Sequence, residues 1–411
     1  MSADPSDKPS RPSSDRRSSS PDSPPASTYA FGAMERPPEW IGPYRVLEQV
    51  GEGGMGVVYL VEQEQPIRRR AALKIIKLGM DTKEVIGRFE AERQALALMD
   101  HPNVAKVFDA GTTETGRPYF VMEYVPGISI TEYCDQQRLS TRERLDLFVE
   151  VCKAIHHAHQ KAIIHRDVKP SNVLVTIQDG RAVPKVIDFG VAKAINQRLT
   201  ERTVYTEQGQ LIGTPAYMSP EQAELTGLNV DTTTDVYSLG ALLYELLTGS
   251  PTFDVREMRE VGYEAIQRVI REEDPPKPST RVSKLGKPAT EAAAKRRTDV
   301  GGLVRQLRGE LDWITMRAME KDRTRRYASA SELAADVGRY LENEPIVARP
   351  PSAGYYLRKM VSRHRGPFAF AGALFLVLVV AAVVTTGLWQ RSEKAHRRSD
   401  GGQLLSLAWQ E

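Results

Sequence analysis

Ten consecutive residues bring together an acid, a base and an amide: Ile163-Ile164-His165-Arg166-Asp167-Val168-Lys169-Pro170-Ser171-Asn172. Sixteen residues beyond Asn172 stands Asp188, in Asp188-Phe189-Gly190. Asp167 can take up a proton, and Asn172 and Asp188 offer hard oxygen ligands of the kind magnesium prefers. A carboxylate, an amide and a second carboxylate at this spacing can flank a metal-bound triphosphate. Each string alone says little, since His-Arg-Asp is common in surface loops and Asp-Phe-Gly in turns. Their order and spacing carry the signal.

A phosphate-facing loop precedes them. Tyr44 to Val50 alternates as a strand does, and Gly51-Glu52-Gly53-Gly54-Met55-Gly56 follows, before Val57-Val58-Tyr59-Leu60-Val61. A dinucleotide-binding fold uses the same glycine spacing but follows it with a helix. Here β-branched and aromatic residues follow, so a hairpin is expected. Its glycines let backbone N–H groups approach phosphate oxygens without a Cβ clash. Eighteen residues after Gly56, Lys74 interrupts the apolar run Ala71-Ala72-Leu73-Lys74-Ile75-Ile76. A desolvated ammonium needs a counter-ion. Glu92 is the candidate, on an amphipathic stretch carrying Phe89, Leu96 and Met99, and Glu90 is its competitor.

Other elements must deliver these groups. Ser140 and Glu143 form a capping box, and Leu145, Phe148, Val149, Cys152 and Ile155 make one helical stripe that leads into Ile163. Arg117 to Val125 reads as a strand stopped by Pro126-Gly127. Four prolines and seven basic residues between 275 and 300 suggest a flexible, solvated insertion. Helical patterning then resumes from Gly309 to Glu342, with Leu311, Ile314, Met319, Leu333, Val337 and Leu341 expected inside.

Together these strings resemble the eukaryotic-like (Hanks-type) serine/threonine protein kinases, nearest their bacterial single-pass transmembrane branch, over about residues 44–342. The resemblance implies an α+β, bilobal protein-kinase fold: a small β-rich N-lobe over 44–124 and a larger helical C-lobe over 125–342. It implies ATP and Mg2+ (or Mn2+) as cofactors and protein Ser/Thr hydroxyls as substrates. Asp167 would be the catalytic base and Lys169, the serine/threonine hallmark, would offset charge on the transferring group. Glu92 would fix Lys74, while Asn172 and Asp188 would bind the metal. Val50, Gly51, Glu52, Gly53, Gly54, Met55 and Gly56 would cover the nucleotide. Met122 would be the gatekeeper, the Glu123 carbonyl and Val125 amide would meet the adenine edge, and Val50, Val58, Ala72 and Leu174 would sandwich the ring.

The same resemblance makes 188–221 an activation segment. It closes with Gly213-Thr214-Pro215 and Ser219-Pro220-Glu221, where the family keeps Ala-Pro-Glu. Thr214 would sit beside Asp167 and Lys169, Glu221 would pair with Arg326, and Asp235 would hold the catalytic-loop backbone. Arg166 implies regulation by a phosphothreonine, at Thr203 or Thr206, added in trans between two kinase molecules. Two alternatives stand beside the kinase reading. A membrane-anchored, nucleotide-binding pseudokinase scaffold would typically lack the lysine or a carboxylate. A small-molecule phosphotransferase would lack the Gly-Thr-Pro and Ser-Pro-Glu strings.

The chain's 411 residues are too many for one core. With 56 basic against 53 acidic side chains, net charge gives no reason to expect nucleic-acid binding. Cys134 and Cys152 exclude a disulfide scaffold, suit a reducing compartment and read as buried apolar groups. A Ser/Pro-rich segment, 1–40, is expected to be a disordered tail. No ionisable side chain occurs from Gly366 to Gln390, and basic residues flank that span. A transmembrane helix is therefore expected over 367–389, joined to the kinase domain by a juxtamembrane linker, 343–366, and followed by a short basic tail, 390–411. Basic residues on the two sides are nearly balanced, so orientation rests on chemistry: a kinase needs ATP, which places the residues before the helix in the cytoplasm.

Overall fold

Period-two alternation of β-branched and aromatic residues turns the first part of the chain into strands. The computed structural model describes residues 38–53, 56–76, 98–189, 215–224, 230–253, 263–350, 355, 359 and 365–407. β1 (Trp40–Ile41), β2 (Tyr44–Gly53), β3 (Gly56–Gln63), β4 (Arg69–Ile76), β5 (Val107–Thr112) and β6 (Pro118–Glu123) form an antiparallel sheet in the order β1-β2-β3-β4-β6-β5. Directly paired residues share a face. Val58 pairs with Lys74, and Ala72 pairs with Met122, so all four share one face. The opposite face buries Tyr59, Val61, Ala71, Leu73, Tyr119 and Val121 against Ile41 and Tyr44. The strands β3 and β4 close tightly: a Cβ on Gly56 would lie 2.1 Å from the Ile75 carbonyl oxygen, so only glycine fits there.

After β6 the chain enters a helical body. β7 (Ile128–Ser129) leads into α1 (Ile130–Gln136) and α2 (Thr141–Gln160). A single 3-10 turn, Pro170–Asn172, precedes β8 (Val173–Gln178) and β9 (Arg181–Val186), which join β7 in a three-stranded antiparallel sheet. Helices α3 (Pro220–Ala223), α4 (Thr232–Thr248), α5 (Tyr263–Glu272), α6 (Pro278–Lys284), α7 (Lys287–Ala294), α8 (Val300–Leu307), α9 (Glu310–Ala318) and α10 (Ala330–Leu341) follow. The capping box at α2 forms as expected, with the Ser140 N–H donating to Glu143 Oε2 at 2.7 Å. Leu145, Phe148, Cys152 and Ile155 of α2 are fully buried and Val149 partly so. α4 is buried on nearly all sides, as befits a central helix, and ends at Gly249 in the left-handed conformation, φ 79°. Both cysteines are buried and unpaired, and burial pushes the Cys134 thiol up to about 11.

Two expectations need correction. Residues 275–300 are not an extended solvated insertion. They supply α6 and α7, and Val282, Ala289 and Ala293 join the main core. Two of the four prolines, Pro278 and Pro288, sit at helix starts, where a missing N–H costs nothing. Arg296, counted as a solvated charge, is 2% exposed and donates to the carbonyls of Ala292, Glu245 and Leu246. It caps the C-terminal end of α4, and burial pulls its guanidinium down to about 9. The linker after α10 also departs from expectation, since Ile346 and Tyr355 are part of the same core.

The final described element, α11 (Arg365–Leu407), is one helix of 43 residues. Its apolar stretch, Gly372–Ser392, is 21 residues long with none of it buried. That length spans about 32 Å, enough to cross a bilayer. The segment expected as a separate basic tail continues this helix as far as Leu407.

Candidate active site

The face of the six-stranded sheet carrying Lys74 looks across a cavity of about 630 Å3 onto the loop between α2 and β8 and onto the end of β9. Val50, Gly51, Glu52, Gly53, Gly56 and Val58 line it from the hairpin side, with Ala72 and Lys74 beside them. Met122, Glu123 and Val125 close its back, and Leu174 lies across from them. Asp167, Lys169, Asn172 and Asp188 complete the wall. Gly54, Met55, Glu92, Thr203, Thr206 and Thr214 lie outside the described residues. Tyr124, Gly127, Ser171 and Ile187 also line the cavity and were not anticipated. Of these, Gly127 carried a signal in the Pro-Gly strand stop. A Cβ there would lie 2.4 Å from the Val175 carbonyl oxygen, so the chain after β6 can approach β8 only through glycine.

Lys74 bridges both oxygens of Asp188, at 2.5 and 2.6 Å, and its side chain is nearly buried. The pair joins the sheet to the end of β9 across 114 residues. Nearby, the Lys169 ammonium lies 2.8 Å from Asp167 Oδ2. The Asn172 amide nitrogen donates to the Asp167 carbonyl at 2.8 Å and to its carboxylate at 3.0 Å. Those bonds use the nitrogen, so the amide oxygen remains the acceptor end. Asn172 and Asp188 thus supply an amide oxygen and a carboxylate on one wall, a hard donor set that suits magnesium or manganese.

The loop that carries His165 to Asn172 is held from beneath. Asp235 on α4 is fully buried and accepts the His165 and Arg166 backbone N–H groups, each at 2.8 Å, and His159 Nε2 at 2.7 Å. Burial alone would raise its carboxyl; the bonds from His159 and His165 outweigh it and hold the group below the usual carboxylate range. Arg166 at φ 63° and Asp188 at φ 58° both occupy the left-handed region, uncommon for non-glycine residues. Strain of this kind persists only where surrounding contacts over-determine it. His165 supplies part of that frame. Its ring packs on Phe189 with centroids 4.6 Å apart, Nε2 donates to the Ile187 carbonyl at 3.1 Å, and Nδ1 accepts the Asp167 N–H at 3.3 Å. Burial lowers the pKa of this imidazole and keeps it neutral, which is what lets Nδ1 accept.

Replacing Asp235 by alanine strips the acceptor from three donors. Each buried donor left unmade costs about 1–3 kcal/mol. The expected result is a clear fall in urea midpoint together with loss of activity; an unchanged midpoint would contradict the anchoring role.

Two further pairs stand around the site. Glu221 and Arg326 form a bidentate bond, 2.8 Å at each oxygen, deep inside the helical body, and the Thr234 hydroxyl adds a bond of 2.7 Å to Glu221. Gln222, next along α3, donates to the Arg166 carbonyl at 2.8 Å, which ties this anchor to the catalytic loop. On the other side, Lys185 of β9 pairs with Glu123 of β6 at 2.8 Å. No sequence motif marks that pair. A lysine between Pro184 and Val186 near the end of β9 was its only trace.

The protein kinase domain family matches residues 44–333. The chain belongs to the protein kinase family. Among kinases in bacteria, it is 34% identical over 308 residues to a protein named serine/threonine-protein kinase PknB from Mycobacterium tuberculosis, covering 74% of this chain and 43% of that protein. A probable serine/threonine-protein kinase PknB from Corynebacterium glutamicum is 33% identical over 305 residues, covering 73% of this chain and 42% of that protein. The chain thus spans under half the length of these kinase relatives. In three dimensions it is similar to the crystallised kinase domain of Mycobacterium tuberculosis PknI, with a TM-score of 0.52, 25% identity, and coverage of 73% of this chain and 97% of that one. The bilobal kinase fold expected from the motifs is the fold observed, with the β-rich lobe before Glu123 and the helical lobe after it.

Proposed function

We propose that this protein is a membrane-anchored serine/threonine protein kinase that transfers the γ-phosphate of ATP to Ser or Thr hydroxyls of proteins. The observation that carries the reading is the meeting of Lys74, Asp167, Lys169, Asn172 and Asp188 on one cavity, in a domain of the protein kinase family. The hairpin glycines would receive the phosphates of ATP, and Lys74 would leave Asp188 to pair with phosphate oxygens. Asn172 and Asp188 would hold magnesium or manganese, which when bound neutralises charge on the phosphates. Asp167 would orient the substrate hydroxyl and accept its proton. Lys169, already beside Asp167, would offset charge that gathers on the transferring group. Positioning and electrostatics do most of the work in such a transfer.

Membrane anchoring rests on the exposed apolar stretch of α11, with the kinase domain on the cytoplasmic side where ATP is available. Regulation by phosphorylation of Thr203 or Thr206, in trans between two copies, rests on the kinship and on Arg166. One experiment tests activity and regulation together. Incubation of the full chain with γ-labelled ATP and a Ser/Thr-containing protein should give label on Ser or Thr, and peptide mapping should find phosphate between residues 191 and 218. Absence of transfer to any protein, the chain itself included, would favour the scaffold reading. Transfer without phosphate in that segment would remove the regulatory part alone.

A further inference from the structure

The chain beyond α10 does not leave the helical lobe freely. Asp336 on α10 is fully buried, and its oxygens take four hydrogen bonds. Oδ2 accepts from the Tyr327 hydroxyl at 2.8 Å and the Ala348 N–H at 2.9 Å. Oδ1 accepts from the Val347 N–H at 2.6 Å and from Arg339 at 3.2 Å. Two consecutive backbone N–H groups on one carboxylate fix both the direction and the register of the segment that carries them. The neighbouring Ile346 is 1% exposed, and its N–H donates to the Tyr355 hydroxyl at 3.0 Å. Arg349 lies over the Tyr355 ring, 4.4 Å from its centroid. Arg317 of α9 donates to the Val347 carbonyl at 2.9 Å. Further along, the Lys359 ammonium pairs with Glu310 of α9 at 2.8 Å and with the Asn343 side-chain oxygen at 3.0 Å. All the residues this segment contributes lie past 333, where the family match ends.

Proline-rich linkers without partners remain solvated and semi-rigid. Here a buried carboxylate takes its partners from the segment itself, and undocking would leave that charge with only Tyr327 and Arg339. We propose that residues 343–350, together with Tyr355 and Lys359, form a docked strap, an integral part of the kinase domain, which sets how far the active site can travel from the membrane. The proposal rests on the membrane-anchored reading given above. Lys359 stands six residues before Arg365, the start of α11. Six residues reach roughly 20 Å at full extension, whereas an undocked chain from Asn343 to Arg365 would reach about 75 Å. The strap therefore confines the kinase to hydroxyls presented close to the bilayer, on membrane-held proteins or on a second copy of this chain.

Hydrogen exchange on the full chain in phospholipid nanodiscs, read at Ile346, Val347 and Ala348, tests the strap. The expected result is exchange at least 100-fold slower than in an unstructured peptide. Asp336→Asn should speed exchange at Val347 and Ala348 by at least about tenfold. Since that variant can also loosen α10, Tyr355→Phe serves as a second probe, with faster exchange at Ile346 and unchanged exchange in α4. Unprotected amides at all three positions in the wild type, or rates within about twofold of wild type in both variants, would overturn the strap. Failure of the chain to enter nanodiscs, with the three amides still protected in solution, would leave the strap standing and remove the anchoring reading.

Discussion

Asp167→Asn is expected to lower the turnover number by about 10²- to 10⁴-fold, the range general-base catalysis supplies. Nucleotide affinity should stay near the wild-type value, because the groups proposed to hold ATP are elsewhere: the hairpin, Lys74 and the strand end at Glu123. The substitution keeps shape and removes only the basic oxygen. It leaves an amide oxygen to accept from Asn172 and Lys169, which contact Asp167 at 3.0 and 2.8 Å. Steady-state transfer to a protein substrate, paired with calorimetric titration of ATP, separates the two effects. Near-normal transfer would take the proton-accepting role away from Asp167, and loss of ATP binding in a folded variant would show that the residue acts on the nucleotide instead.

The largest expected effect on stability comes from Arg326→Met. Its guanidinium is fully enclosed, holds both oxygens of Glu221 and also reaches the carbonyls of Glu320, Thr233 and Lys321. Removing one member of a buried ion pair typically costs about 3–5 kcal/mol, since the partner charge is left unmatched. Chemical denaturation measures the loss, and a shift of less than about 1 kcal/mol would place the pair among ordinary surface contacts. Arg326→Lys should rescue little, because a single ammonium cannot reproduce the two-pronged contact. The pair also sets a pH response. Burial would raise the Glu221 carboxyl, but Arg326 and Thr234 hold it below its ordinary value of 4.5. Its contribution to stability is therefore complete above 4.5 and is lost as pH falls through the lowered value in the folded protein. Arg326→Met should lose that part of the acid sensitivity along with the stability.

Much of this molecule was legible along the chain. The hairpin, the lysine strand, the capped helix α2, the catalytic loop and the Asp-Phe-Gly string are local patterns, and local patterns follow from backbone preference and hydrophobic period. Their order carried the resemblance to the protein kinases, and that resemblance implied two lobes. The apolar stretch in α11 was equally plain, because a run without ionisable groups needs no partner to be recognised. Misreading was confined to places where composition and environment disagree. The prolines and basic residues of 275–300 look like a solvated loop, yet Pro278 and Pro288 open helices and Arg296 lies inside, capping α4. Pro345 and Pro350 look like a linker, yet the chain between them is fastened by Asp336, whose sequence context is an ordinary helix.

From residue types and spacing came the glycine hairpin, the set of groups able to act on a phosphate and the resemblance to the protein kinases, which in turn implied the two-lobed plan. Tertiary structure alone decided which charges are desolvated and whom they meet: Lys74 with Asp188, Lys185 with Glu123, His159 with Asp235, and the strap with Asp336. The reason is physical. Spacing along a chain encodes contacts a few residues apart, whereas a buried charge is stabilised by partners that arrive from 11 to 114 residues away. Nothing in either segment by itself specifies that meeting; the packing of the core does.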